Sequence, residues 1–123
     1  MPLTRSEIMS RVRSKDTAPE LRLRRALVRA GLRGYRLHHG PYKPDVSWPG
    51  RRIAVFVDGC FWHGCPQHGH LPKTRTAYWR AKIARNRARD RAATLALRRA
   101  GWQVVRYWEH SPPPISRIRR ALG

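Results

Sequence analysis

The chain has 123 residues and sets 27 lysines and arginines against seven aspartates and glutamates, a formal net charge of +20. At 41% hydrophobic it is too apolar for a basic disordered tail, and no run reaches the roughly 18–20 apolar residues of a membrane span. A single folded domain remains, large enough for its own core, and its charge suits a polyanion: neutralised phosphates release counterions, which favours nucleic acid.

Residues 1–15 are polar and basic, with Ile8, Met9 and Val12 at helical spacing. They read as an arm or short helix ahead of one domain at 16–123. The start, Met1-Pro2-Leu3-Thr4-Arg5, has no signal-peptide apolar core, so a cytoplasmic protein is expected. Thr17-Ala18-Pro19-Glu20 is a helix-start signature, with a Thr cap, Pro in the first turn and Glu three residues after the cap. The helix then places Leu23, Ala26, Leu27 and Ala30 on one face and arginines on the other, and Gly31 and Gly34 stop it. Residues 35–38 are predicted as a short strand, 40–44 as a turn, 45–48 as a strand and Pro49-Gly50 as a tight turn. Residues 51–57 read Arg-Arg-Ile-Ala-Val-Phe-Val, an apolar, β-branched run after two arginines, which fits a buried central strand after a hairpin. The Gly-, Cys- and His-rich stretch 59–72 reads as an irregular loop. Residues 76–100 form a long helix ending at Gly101, 102–108 alternate as a strand, and Pro112-Pro113-Pro114 precede a short basic helix. A right-handed crossover through the long helix would set the last strand parallel to the central one, giving a mixed α/β sandwich.

Cys60 and Cys65 are the only cysteines. A disulfide is not expected in the cytosol, and two Cys with two His make a tetrahedral zinc shell. His68 is local to the cysteines, and His110 closes the shell if the last strand lies beside the central one. His63 and His70 are also at hand. The alternative is two buried thiols with surface histidines. A metal would order a loop that is costly to order otherwise. His63, between the cysteines, is set apart as a candidate general base.

The acids can be named in full: Glu7, Asp16, Glu20, Asp45, Asp58, Asp90 and Glu109. On a surface that gains from positive charge, each invites a specific explanation. Pro44-Asp45 at a strand start, after a helix with Glu20 in its first turn, resembles the PD-(D/E)xK nuclease core. The strand 53–57 lacks that core's acidic-x-Lys ending and runs instead into Asp58-Gly59-Cys60-Phe61-Trp62-His63-Gly64-Cys65-Pro66. That motif resembles the very-short-patch-repair (Vsr type) mismatch endonucleases. So do Pro72-Lys73-Thr74, Tyr78-Trp79, Ile83-Ala84-Arg85-Asn86-Arg87-Ala88-Arg89-Asp90, Gly101-Trp102 and Trp108-Glu109-His110. At the front, Thr4-Arg5-Ser6, Met9 and Lys15-Asp16-Thr17-Ala18-Pro19-Glu20 fit as well, so the likeness runs from about residue 3 to 111.

The resemblance implies a three-layer α/β nuclease core, a mixed central sheet flanked by helices, with a zinc-stapled loop. It implies nicking of double-stranded DNA 5′ to the T of a T:G mismatch, of the kind 5-methylcytosine deamination leaves, by Mg²⁺-dependent phosphodiester hydrolysis. Asp45 would be the main Mg²⁺ carboxylate and Val57 would lend its main-chain carbonyl. His63 would be the base; Asp90, which shares one face of the long helix with Trp79 and Ile83 and needs a partner there, would orient it or pair with a nearby Arg. Glu20 would stand near the site or simply cap its helix. Asp58 would touch the metal shell or hold the loop. Zinc ligands would be Cys60, Cys65, His68 and His110, with His70 as competitor for His68. Phe61, Trp62 and Trp79 would wedge into the base stack, and Arg5, Arg11 and Arg13 would clamp the backbone. A nucleoid-associated monomer is expected, with mismatch-repair proteins as candidate helpers. Two other readings compete: a related nuclease with a different DNA substrate, and a non-catalytic zinc-stapled nucleic-acid-binding module.

Overall fold

The computed structural model describes residues 17–67 and 69–123. The arm at 1–15, with Arg5, Arg11 and Arg13, and the candidate ligand His68 lie outside them. The elements are α1 (Ala18–Arg29), β1 (Val46–Trp48), a single 3-10 turn (Pro49–Arg51), β2 (Ile53–Asp58), α2 (Thr76–Arg99), β3 (Gln103–Trp108) and α3 (Ile115–Leu122). The three strands form one sheet with β2 in the middle. β1 runs antiparallel to β2 with Val46 opposite Val55, and β3 runs parallel to β2 with Asp58 opposite Trp108. The long crossover through α2 makes the parallel pairing feasible.

Strand alternation sorts the side chains into two layers of core. Val46, Trp48, Ile53, Val55 and Val105 pack against Leu23 and Leu27 of α1 and Ile118 of α3. Ala54, Phe56 and Val104 face the other way, onto Leu97 of α2. The sheet is therefore covered on both faces, which explains why β2 reads as an unbroken apolar run. At the C-terminal end of β2, Val57 packs with the α1-side cluster and the next residue, Asp58, accepts from Arg106 of β3 and lies near Asp90 of α2.

Two local expectations are corrected. The strand predicted at 35–38 is only an isolated bridge from Arg36 to Ser47. His38 leaves the β region at φ 48°, and its N–H donates to the Pro44 carbonyl at 3.0 Å, so the chain turns there instead of extending. Thr17 makes no side-chain capping bond; Glu20, the other half of the predicted capping pair, is turned inward and buried. The long helix ends as predicted: Gly101 takes φ 88°, and the N–H of Trp102 returns to the Leu97 carbonyl at 2.9 Å.

Candidate active site

The site is built where β1 begins and where β2 and β3 end. Asp45 immediately precedes β1, and its Oδ2 accepts the Val57 N–H at 2.6 Å, which ties the carboxylate to the exit of β2. Glu20 of α1 and His38 of the following turn join it; the three offer ligand atoms within 4.8 Å of one another. His38 Nε2 lies 3.3 Å from Glu20 Oε2. Burial raises the Asp45 carboxyl to about 7, and the neighbouring charges of Glu20 and Asp58 add to the push against the pull of the Val57 N–H. The carboxyl is therefore protonated below neutral pH, and a bound cation would favour its charged form.

Across the strand lies a second group. His63 Nδ1 pairs with Asp90 Oδ2, and Asp58 Oδ1 stands 3.7 Å from the same nitrogen. Asp90 gets there because α2 presents one stripe to the sheet and loop: Trp79 and Ile83 are buried, Asn86 donates to the Trp62 carbonyl at 2.9 Å, and Asp90 comes next. Burial alone would lower the His63 pKa; the hydrogen bond to Asp90 and the charges of Asp58 and Asp90 outweigh it and raise it. Both Asp58 oxygens accept from the Arg106 guanidinium at 3.2 Å. Burial still raises the Asp58 carboxyl, with Arg106 and His63 opposing.

The third group surrounds the cysteines. Both thiols are free and buried. His110 Nδ1 sits 3.3 Å from Cys60 Sγ and 3.8 Å from Cys65 Sγ. One S···N edge of a tetrahedral zinc shell, built from Zn–S of about 2.3 Å and Zn–N of about 2.0 Å, is roughly 3.5 Å. The donor set and spacing therefore fit zinc. Burial, followed by contact with Cys65, pushes the Cys60 thiol up to about 11, a penalty that a bound cation would remove. The loop is tight: a Cβ on Gly69 would stand 2.6 Å from the Cys60 carbonyl oxygen. Glu109, which the sequence leaves without a task, accepts the Cys60 N–H at 3.0 Å.

The carboxylate group also fits a hydrated divalent ion. Glu20 and Asp45 supply hard oxygens. Two buried polar atoms nearby, His38 Nε2 and Tyr107 Oη, make no hydrogen bond among the described residues, although His38 Nε2 stands at ion-pair distance from Glu20. The Asp45 charge reaches Tyr107 and raises its phenol pKa after burial has done so.

Three placements are finer than the sequence reading. Asp45 and His63 fall in separate groups of candidate ligands. The aromatic loop is not an exposed wedge: Phe61 and Trp79 are 7% and 3% exposed, packed edge-to-face at 5.4 Å, and Trp62 alone is half-buried. Asp58 is engaged by Arg106 and grouped with His63 and Asp90 rather than with Asp45. His38, Tyr107 and Arg106 are absent from that reading. Arg106 had a signal: it alternates with Val104 on the face of β3 that meets α2, and an arginine on a buried face implies partners.

Comparison with known proteins places this geometry. The family model described as DNA mismatch endonuclease Vsr matches residues 1–68. The type II nicking enzyme V.NaeI of Lentzea aerocolonigenes is 46% identical over 112 residues, covering 86% of this chain and 68% of that protein. The type II nicking enzyme V.XorIIP of Xanthomonas oryzae pv. oryzae is also 46% identical, covering 88% and 81%. The DNA mismatch endonuclease Vsr of Escherichia coli (strain K12) is 38% identical over 113 residues, covering 86% and 69%. With a carboxylate group at one side of the strand end, a histidine–aspartate pair at the other, and matches of this extent, the chain belongs to the Vsr family of DNA mismatch endonucleases.

Proposed function

We propose that this protein nicks duplex DNA on the 5′ side of the T in a T:G mismatch, by Mg²⁺-dependent hydrolysis that leaves 5′-phosphate and 3′-hydroxyl ends. The observation that carries the proposal is the end of β2, where Val57 and Asp58 separate an oxygen-rich group (Glu20, Asp45) from a histidine–carboxylate pair (His63, Asp90). Hydrolysis of a phosphodiester needs both halves: hard ligands for a cation, and an acceptor for the proton of water. The names of the mismatch endonuclease and nicking enzymes to which the chain is similar support the substrate.

Asp45 and Glu20, with His38 beside them and the Val57 main-chain carbonyl, would hold the Mg²⁺. When bound, the ion supplies Lewis acidity and lowers the pKa of its water. The Val57 N–H fixes the Asp45 carboxylate. Asp90 holds His63 through Nδ1, which leaves Nε2 to take the proton of the attacking water. Cys60, Cys65, His110 and His68 would hold a structural zinc that keeps His63 in place between two ligands. Trp62, with Phe61 and Trp79 behind it, would meet the base stack, where unstacking costs least at a mismatch. A stacked aromatic returns roughly 1–3 kcal/mol per base.

Labelled duplexes carrying T:G or T:A, with Mg²⁺ or EDTA, test the reading. Nicking of T:G alone, dependent on Mg²⁺, is expected. Equal cutting of T:A would reject the mismatch specificity, and binding with no cutting of any duplex would favour a non-catalytic module. Asp90→Asn keeps the shape of the side chain and removes its charge. It is expected to slow single-turnover nicking about 100-fold, at the low end of what general-base catalysis supplies, with duplex binding intact. An unchanged rate would sink the role given to Asp90.

A further inference from the structure

Arg106 occupies the centre of the proton-handling half of the site. It stands opposite Phe56 on β3, and its guanidinium lies 4.2 Å over that ring. Nε and one terminal nitrogen grip the two Asp58 oxygens at 3.2 Å each. The same nitrogen stands 3.3 Å from Asp90 Oδ1, and the other donates to Thr94 Oγ1 at 3.0 Å. Asp90 thus presents one oxygen to Arg106 and the other to His63. Among the described residues, the ion-pair partners of Asp58 and Asp90 are only Arg106 and His63.

Two carboxylates aimed at one imidazole nitrogen compete for it, and they repel each other when no cation lies between them. A forked, permanently charged guanidinium can occupy one carboxylate fully and still hold the far oxygen of the second. We propose that Arg106 is a positioning residue for DNA nicking, engaging Asp58 so that Asp90 alone orients His63. Lysine, a point charge without the fork, cannot hold both carboxylates in these places. Thr94, on the α2 stripe, fixes the guanidinium plane from the helix side. The inference rests on the reading of His63 as the base.

The test is single-turnover nicking of a T:G duplex, at a temperature well below the thermal midpoint of every variant, with duplex affinity measured alongside. Arg106→Met is expected to lower the rate about 10–100-fold at unchanged Kd, the range of coupling between contacting groups. Arg106→Lys should recover only part of that rate. Adding Asp58→Asn to Arg106→Met removes the competing charge and should recover about tenfold over Arg106→Met alone. A rate within twofold of wild type in Arg106→Met overturns the inference. So does a loss that Asp58→Asn fails to relieve, which would make Arg106 a packing residue only. Weaker duplex binding at an unchanged rate would make it a backbone contact instead. If Arg106→Met does not fold, Arg106→Lys keeps the charge, and its rate loss at unchanged Kd, or the lack of one, decides the matter. A wild-type protein that cuts no T:G duplex removes the reading beneath the inference and the inference with it; a cutting wild type with an unaffected Arg106 variant removes the inference alone.

Discussion

Asp45→Asn is expected to abolish nicking while making the free protein more resistant to heat above neutral pH. The carboxyl rises from its ordinary 3.8 to about 7 on folding, first through burial and then through Glu20 and Asp58. Between those values the unfolded chain has released a proton that the folded chain keeps. Stability therefore falls as pH climbs from about 4 to about 7, and the full penalty stands at pH 8. Asparagine can still accept the Val57 N–H and carries no charge, so the penalty disappears. Calorimetry at pH 5 and pH 8 should show the wild-type midpoint dropping more than the variant's, with a gap of about 5 °C or more at the higher pH. Mg²⁺ should narrow that gap by stabilising the wild type alone. The same substitution removes a metal carboxylate. The expected loss in nicking is on the order of 1,000-fold or more, since metal activation supplies several kcal/mol and each 1.36 kcal/mol is tenfold. Duplex binding should survive. A variant that still cuts, or one less stable than wild type at pH 8, would contradict the placement of Asp45 at the metal.

Cys65→Ser should produce the second large effect, through the opposite half of the site. His63 sits three residues after Cys60 and two before Cys65, so a metal bound by both fixes the imidazole from each side. Structural zinc supplies about 10–16 kcal/mol in small zinc-finger peptides, and part of that would order the loop in this chain. Loss of one thiolate should release zinc, expose 59–72 to proteases, and slow nicking about 100-fold, matching removal of the base. Mn²⁺ binding to the Glu20–Asp45 group should be unaffected, because that group lies on the other side of β2. Wild-type protein stripped by a chelator should behave like the variant and regain activity with zinc; the variant should not. Purified wild type without zinc by mass spectrometry, or full activity in Cys65→Ser, would refute the stapled loop.

Much of this architecture is legible in the residues. The apolar, β-branched run of β2 and the stop at Gly101 follow from strand propensity and left-handed glycine geometry, and both fall within a residue or two of their predicted places. Cys60, Cys65 and His110 come together because β3 runs parallel beside β2, as the crossover predicts. What is not legible is which face each charged residue takes at the strand end. The period of two puts Val57 and Asp58 on opposite sides, so Asp58 joins His63 and not Asp45, a choice that the sequence leaves open between the metal shell and the loop. His38 is hidden for a different reason. Its left-handed backbone accompanies a bond from its N–H to the Pro44 carbonyl, and the turn that brings the two together is not announced by any short motif. Arg106 finds its two carboxylates 48 and 16 positions away, beyond the reach of any local pattern.

The parallel pairing of β2 with β3 also sets a timetable for the nascent chain. Cys60 and its partner His110 are 50 positions apart, and Glu109 and Arg106 arrive with the same late strand. At about 5–20 residues per second, roughly 3–10 s separate synthesis of the first cysteine from synthesis of the last ligand. During that interval Glu20, His38 and Asp45 already exist, while the histidine that would act on DNA has neither its arginine clasp nor a complete cysteine loop to hold it. A ribosome-bound fragment ending before β3 would thus remain a basic peptide, and the capacity to break a phosphodiester would await synthesis of β3 and the residues just after it.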